Sequence, residues 1–128
     1  MVVTALVLAA LAALLHVYIF YMESFAWTTP RVRATFGTSE AQAVSSKELA
    51  FNQGFYNLFL AVLVALGIFF FAVGDPVIGA TLVFAGAGCM LAAALVLLVT
   101  SPGKARAAIT QGTLPLLAVI VLAIGLAF

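Results

Sequence analysis

The chain has 128 residues, of which 66% are hydrophobic and 7% are charged, and its formal net charge is +1. Soluble domains carry about 25% charged residues, so this composition excludes an ordinary water-soluble fold and predicts an integral membrane protein. At this length we expect one integral membrane domain over residues 1–128. A nucleic-acid partner is excluded because there is no basic stripe, and the single Cys89 excludes an intrachain disulfide.

Four apolar runs predict four transmembrane helices in an antiparallel, all-α bundle. The predicted spans cover about residues 2–22, 48–73, 77–100 and 107–128. Each has the roughly 20 residues that cross about 30 Å of hydrocarbon. The first run is longer than a signal-peptide core and is followed by a poor cleavage site, Glu23-Ser24-Phe25-Ala26-Trp27. We therefore expect the first span to stay in the mature protein.

The connection between the first two spans contains helix stop and start signals. The segment Trp27-Thr28-Thr29-Pro30 ends the first helix, because the residue before a proline is disfavoured in the α region. Ser39 is followed three residues later by Gln42, which is the spacing of a capping box. We expect the helix that starts there to continue into the second span without a break.

Small residues recur at fourfold spacing in the third span. They are Ala85, Cys89 and Ala93, with Gly88 and Ala92 beside them. Small side chains let helix backbones approach closely in lipid. This row of residues therefore predicts a tight contact between the third span and another helix. If the row is exposed, it favours an accessory subunit that packs against a partner protein.

The basic residues orient the predicted bundle. All five fall in the first and third connections: Arg31, Arg33, Lys47, Lys104 and Arg106. Short loops rich in lysine and arginine stay in the cytoplasm. We therefore expect both termini outside the cytoplasm, and a multi-pass protein of the cell inner (plasma) membrane.

Polar side chains gather near the helix ends that adjoin the basic connections. At about 100° per residue, His16 and Glu23 share one face of the first span, and Trp27 follows on that face. The other spans contribute Asn52, Gln53, Tyr56, Asn57 and Gln111. An amide without a partner in hydrocarbon costs several kcal/mol. We therefore expect these groups to share a polar pocket, roughly 10 Å deep, in the cytoplasmic half of the bundle.

Each polar residue also has a purely structural interpretation. His16 could bond a backbone or amide group inside the bundle, and Glu23 could pair with Arg31 or Arg33. The carboxamides could bond between helices as packing contacts, each worth less than about 1 kcal/mol, and Trp27 could anchor the chain at the membrane interface. Ionisable groups within spans usually face the bundle interior and mark a functional site, so the combination favours a pocket.

The order of these residues resembles a family of small bacterial four-span membrane proteins catalogued as a domain of unknown function, the domain-of-unknown-function 1304 type. The most specific parts are Asn52-Gln53-Gly54-Phe55-Tyr56-Asn57 and the first-span face with His16, Glu23 and Trp27. The resemblance covers the whole chain. It implies a four-span fold in which these residues form the family signature, and it implies no activity.

The sequence favours a binding pocket for a small lipophilic ligand with a polar or cationic head. His16 and Glu23 would be an acid/base pair for proton transfer. The head would be oriented by Asn52, Gln53, Tyr56 and Asn57, with Trp27 and Gln111 lining the same pocket. We expect no cofactor and no metal, because two histidine or cysteine ligands in helical register are absent.

Two other functions remain open. One is a small proton-coupled transporter, although the five-to-zero distribution of basic residues and the apolar outer halves of the spans argue against it. The other is an accessory or structural membrane subunit whose amides contact a partner, with a homo-oligomer as one form. In all cases membrane lipids surround the chain.

Overall fold

The computed structural model describes residues 1–128 and contains six α-helices and no strand. The helices are α1 Val2–Ser24, α2 Pro30–Phe36, α3 Glu40–Ser45, α4 Lys47–Ala72, α5 Pro76–Thr100 and α6 Ala105–Ala127, with a 3-10 turn at Pro102–Lys104. Four of them, α1, α4, α5 and α6, are long and apolar enough to cross a membrane. The predicted all-α fold is confirmed, and so are four helices long and apolar enough to span a membrane.

The four long helices form a ring in the order α1, α4, α5, α6. Helices α1 and α5 each pack against both α4 and α6, and lie diagonally across from each other. Neighbours in the ring run antiparallel, as in an up-and-down bundle. The C-terminal ends of α1 and α5 therefore meet the N-terminal ends of α4 and α6. We call this the basic end, because all five lysines and arginines of the chain lie in the segments that it includes.

Small residues bring the helix backbones together. The buried face of α1 is largely alanine, with Ala5, Ala9 and Ala12 fully inaccessible. Between α4 and α5, a Cβ atom on Gly67 would lie 2.8 Å from the carbonyl oxygen of Gly79, and a Cβ atom on Gly79 would lie 2.9 Å from that of Gly67. The two backbones are thus in direct contact, a packing mode that suits helices in lipid.

The predicted contact through the small-residue row of the third span is wrong. Ala85, Cys89, Ala92 and Ala93 are exposed, and Gly88 has no neighbouring atom within 4 Å of its would-be Cβ position. Helix α5 packs instead through a second face: Gly79, Val83, Gly86, Ala87, Met90 and Ala94. The two faces lie about 140° apart on the helix. Both are rich in small residues, so spacing alone did not identify the buried one.

The first connection folds into helix α2, which the sequence analysis did not predict. The hydroxyl of Thr29 accepts a hydrogen bond from the Val32 amide at 3.5 Å, and Pro30 occupies the first turn, where its missing N–H costs nothing. The helix ends at Gly37, which adopts the left-handed conformation with φ of 63°. The side chain of Val32 is buried against α1 residues, so α2 is held on the basic end of the bundle.

Helix α3 begins with the predicted capping box. The Ser39 hydroxyl accepts from the Gln42 amide at 3.2 Å, and the Gln42 side-chain oxygen accepts from the Ser39 amide at 3.0 Å. The expected continuation into the second span is wrong, because the helix breaks at Ser46, with φ of −101° and ψ of 7°. There the Ser46 hydroxyl donates to the Gln42 carbonyl at 2.6 Å and accepts from the Trp27 indole N–H at 3.1 Å.

Candidate functional site

Glu23 of α1 and Asn57 of α4 form a polar contact between two helices. The Asn57 amide donates to the Glu23 carboxyl oxygen at 2.8 Å, and both side chains are half-buried. Gly54 permits this approach, since a Cβ atom there would lie 3.0 Å from the Phe20 carbonyl oxygen. Nearby, the Ser24 hydroxyl donates to the carbonyl of Phe51 at 3.1 Å. The structure thus brings together two of the predicted site residues.

The alternative pairing of Glu23 with an arginine does not occur. The arginine that forms an ion pair is Arg33, whose guanidinium lies 3.5 Å from the carboxylate of Glu40. Glu23 is therefore held by a neutral amide donor inside the bundle. This placement agrees with the expectation that ionisable groups within spans face the bundle interior.

His16 is buried, with 2% of its surface exposed. Its Nδ1 atom lies 2.8 Å from the Ala12 carbonyl oxygen of the same helix. A carbonyl can only accept, so Nδ1 carries a hydrogen and donates it. His16 lies seven residues before Glu23, about 10 Å along the helix axis, and makes no direct hydrogen bond to it. The histidine is thus anchored by a backbone contact, as its structural interpretation predicts.

The outer surface of α4 carries three of the predicted site residues. Asn52, Gln53 and Tyr56 are exposed, and they line a shallow groove together with Leu49, Phe51, Phe55 and Phe59. Asn52 and Tyr56 lie roughly opposite the buried Gly54 around the helix. The expectation that all the α4 polar groups share one interior pocket is therefore wrong in its geometry, because only Asn57 faces α1. A role for the other three in ligand binding stays a prediction.

Trp27 joins the first connection to the bundle. Its indole N–H donates to the Ser46 hydroxyl, and its ring centroid lies 5.1 Å from that of Phe36. The two rings pack against a buried cluster of Ile19, Met22, Ala26 and Val32. Trp27 thereby fixes α2 and the start of α4 against the end of α1. It takes no part in the hydrogen bond between Glu23 and Asn57.

A cavity of about 600 Å³ lies at the basic end between α1, α2 and α6. Its apolar lining consists of Leu15, Ile19, Met22, Ala34, Phe36 and Ala107. Its polar lining consists of Tyr18, Arg31, Thr35, Arg106, Thr110 and Gln111. We call it the basic-end cavity. It combines an apolar wall with two guanidinium groups and a carboxamide.

Gln111 is the one predicted site residue that lines the basic-end cavity, and sequence reasoning missed the others. Arg31 and Arg106 belong to different connections, 75 positions apart in the chain. They reach one cavity because α6 returns beside α1 in the ring, an arrangement that the spacing of apolar runs does not indicate. The chain brings no three histidine, cysteine, aspartate or glutamate side chains into a metal-binding group.

The contact between Glu23 and Asn57 can be tested by a double-mutant cycle. We expect Asn57→Leu to lower the free energy of unfolding by about 1–2 kcal/mol, because it leaves a half-buried carboxyl without its donor. The coupling with Glu23→Leu should be about 1 kcal/mol, as for other interhelical hydrogen bonds in membrane proteins. Unfolding in mixed micelles, followed by circular dichroism, measures both.

The matched control for this cycle is Asn52→Leu, which alters an exposed carboxamide on the same helix that makes no side-chain hydrogen bond. It should change the stability by no more than about 0.5 kcal/mol. Equal losses for Asn57→Leu and Asn52→Leu would contradict a specific contact between α1 and α4.

Comparison with known proteins assigns the chain to a family. No curated protein and no solved structure is detectably similar to it. A family model with the description "Protein of unknown function (DUF1304)" matches residues 10–123. The matched region takes in the Glu23–Asn57 contact, the basic-end cavity and most of all four long helices. The chain therefore belongs to this DUF1304 family of proteins of unknown function.

Proposed function

We propose that the protein binds a small amphiphilic molecule in the basic-end cavity. The observation that carries the proposal is the cavity itself, which joins an apolar wall to a polar rim across three helices. Its volume of about 600 Å³ lies within the range of small-molecule sites, about 300–1,000 Å³. A lipophilic ligand with a polar head would place its body against the apolar wall and its head at the polar rim.

The apolar wall suits an extended hydrocarbon body. Leu15, Ile19 and Met22 follow one face of α1 over seven residues, a distance of about 10 Å along the helix axis. Phe36 of α2 closes the same wall and is held by its contact with Trp27. A ligand body lying along α1 would thus contact apolar side chains on two sides.

The polar rim supplies groups for a head. Thr35 and Thr110 donate to the carbonyls of Arg31 and Arg106 in their own helices, at 3.0 and 2.8 Å, so their hydroxyl oxygens remain able to accept. Gln111 makes no side-chain hydrogen bond within the chain and offers both an amide donor and a carbonyl acceptor. Hydrogen-bonding groups for a polar head therefore come from both α2 and α6.

Proton transfer by His16 and Glu23 is not part of this proposal. Both residues lie roughly 90° around α1 from the cavity face, toward α4 and the bundle interior. A ligand confined to the basic-end cavity would touch neither of them. The predicted acid/base role stays a prediction for a ligand that reaches the contact between α1 and α4.

A second function, an accessory role in a larger membrane assembly, is favoured by the outer face of α4. Asn52, Gln53 and Tyr56 are exposed there beside aromatic side chains. Carboxamides near hydrocarbon gain stability from hydrogen bonds to another helix, so a second copy or a different membrane protein would suit this face. The structure offers no comparable support for a transporter.

We also infer that the basic end faces the cytoplasm of a bacterial inner membrane, because it holds all five basic residues of the chain. An alkaline phosphatase fused after Phe128 should then be active, and a green fluorescent protein at the same position should be dark. Fluorescence without phosphatase activity would reverse the orientation, while leaving the cavity where it is.

Occlusion of the cavity tests the proposed function. Ala107 lines the cavity, so Ala107→Trp should fill part of it and abolish the binding of an amphiphile. We expect the native protein, gently extracted and measured by native mass spectrometry, to retain a lipophilic compound near one per chain. The Ala107→Trp variant should lose that compound.

Ala93→Trp is the matched control, because Ala93 is exposed on α5 and lies away from the cavity. It should retain the compound. Equal retention by both variants would show that the amphiphile binds elsewhere. A wild-type protein that stays folded but retains nothing would favour the accessory role instead.

A further inference from the structure

We infer that the head of the amphiphile is anionic, a phosphate or carboxylate group held between Arg31 of α2 and Arg106 of α6. The inference rests on the proposed function, because it names the chemistry of the ligand in the same cavity. It follows from the charges that line the cavity and from the pairing of the remaining charges in the chain.

The cavity lining carries two positive charges and no negative charge that would neutralise them. Arg31 and Arg106 are its two charged residues, and neither forms an ion pair within the chain. The four acidic residues of the chain are Glu23, Glu40, Glu48 and Asp75, and none of them lines the cavity. A cationic head, which the sequence analysis allowed, would meet two like charges here.

The acidic side chains with defined contacts are engaged elsewhere. Glu40 pairs with Arg33 and Glu23 accepts from Asn57, while Asp75 caps the start of α5 at the opposite end of the bundle. No intramolecular carboxylate therefore neutralises the two cavity arginines. An anion from outside the chain would supply the opposite charge that both arginines lack.

Arginine is chemically suited to such a head. Its planar guanidinium donates two parallel hydrogen bonds to phosphate or carboxylate oxygens. Basic pockets between transmembrane helices recognise anionic lipid head groups by this chemistry. With Arg31 on α2 and Arg106 on α6, a bound anion would be held from two separate segments of the chain.

The position of the arginines also orients the ligand. Arg106 precedes Gln111 by five residues on α6, and Arg31 lies in the short helix that covers the end of α1. Both are exposed, whereas Ile19 and Met22 of the apolar wall are buried. The head would thus sit at the open rim, with the hydrocarbon directed inward along α1. A free phosphate ion would make no contact with that wall.

Competition between two lipids tests the inference. The protein is presented in detergent with equal amounts of phosphatidylglycerol and phosphatidylcholine of the same acyl chains, and bound lipid is counted by native mass spectrometry. We expect a preference of about tenfold or more for phosphatidylglycerol. The double variant Arg31→Gln/Arg106→Gln should reduce the preference to about twofold or less. Lys47→Gln/Lys104→Gln, with the same change of charge outside the cavity lining, should retain it.

Each alternative result has a defined meaning. Equal binding of both lipids that Ala107→Trp abolishes would overturn the anionic head and leave the cavity function standing. Binding of neither lipid would overturn both. Protection of the protein against heat by inorganic phosphate as strong as that by phosphatidylglycerol would identify a free anion and overturn the amphiphile.

A salt series on the wild-type protein provides a test that needs no arginine variant to fold. Charge contacts at an open rim are screened by salt, so the preference for phosphatidylglycerol should fall several-fold between low and high salt. Melting temperatures without lipid show which variants are folded. A preference that does not change with salt would contradict a head held by Arg31 and Arg106.

Discussion

The close approach of helix backbones is the constraint on which this structure depends. Between helices in lipid there is little hydrophobic driving force, so association relies on packing and on a few interhelical hydrogen bonds. The chain meets this demand with alanine on α1 and glycine where α4 meets α5. Contacts of this kind connect α1 to α4 and α6, and α5 to the same two helices, which sets the ring order of the bundle.

The contact between α1 and α6 changes along the two helices. Close to the N-terminus of α1, a Cβ atom on Gly125 of α6 would lie 3.1 Å from the Val2 amide nitrogen. Toward the basic end, Leu15, Tyr18 and Met22 of α1 line the cavity. There the contact between α1 and α6 opens into the cavity, and α2 covers it. The same helix thus supplies a tight interface at one end and a ligand-sized space at the other.

Much of this architecture could be predicted from the sequence, because local signals determine it. Apolar runs longer than about 20 residues predict the four helices, and the capping box of Ser39 and Gln42 needs no partner from elsewhere in the chain. The helix break at Ser46 could not be predicted in this way. It coincides with a hydrogen bond from Trp27, which lies 19 residues earlier and reaches Ser46 only in the folded chain.

The candidate site was only partly predictable for a related reason. Glu23 and Asn57 were both identified by their cost in hydrocarbon, and the fold pairs them. The α4 polar residues, however, span an arc of roughly 140°, and α1 covers only one side of it. Arg31 and Arg106 were not assigned to one site, because nothing in the sequence shows that α6 packs beside α1.

Photolabelling with a phosphatidylglycerol that carries a diazirine in its acyl chain would show which side chains contact the bound lipid. After irradiation of the wild-type protein in lipid nanodiscs, labelled residues are located by peptide mass spectrometry. Labelling should concentrate on cavity residues of α1 and α6, among them Ile19 and Ala107, and unlabelled phosphatidylglycerol should compete with it. Labelling confined to the outer groove of α4 around Asn52 and Tyr56, or spread evenly over all four helices, would contradict binding in the basic-end cavity.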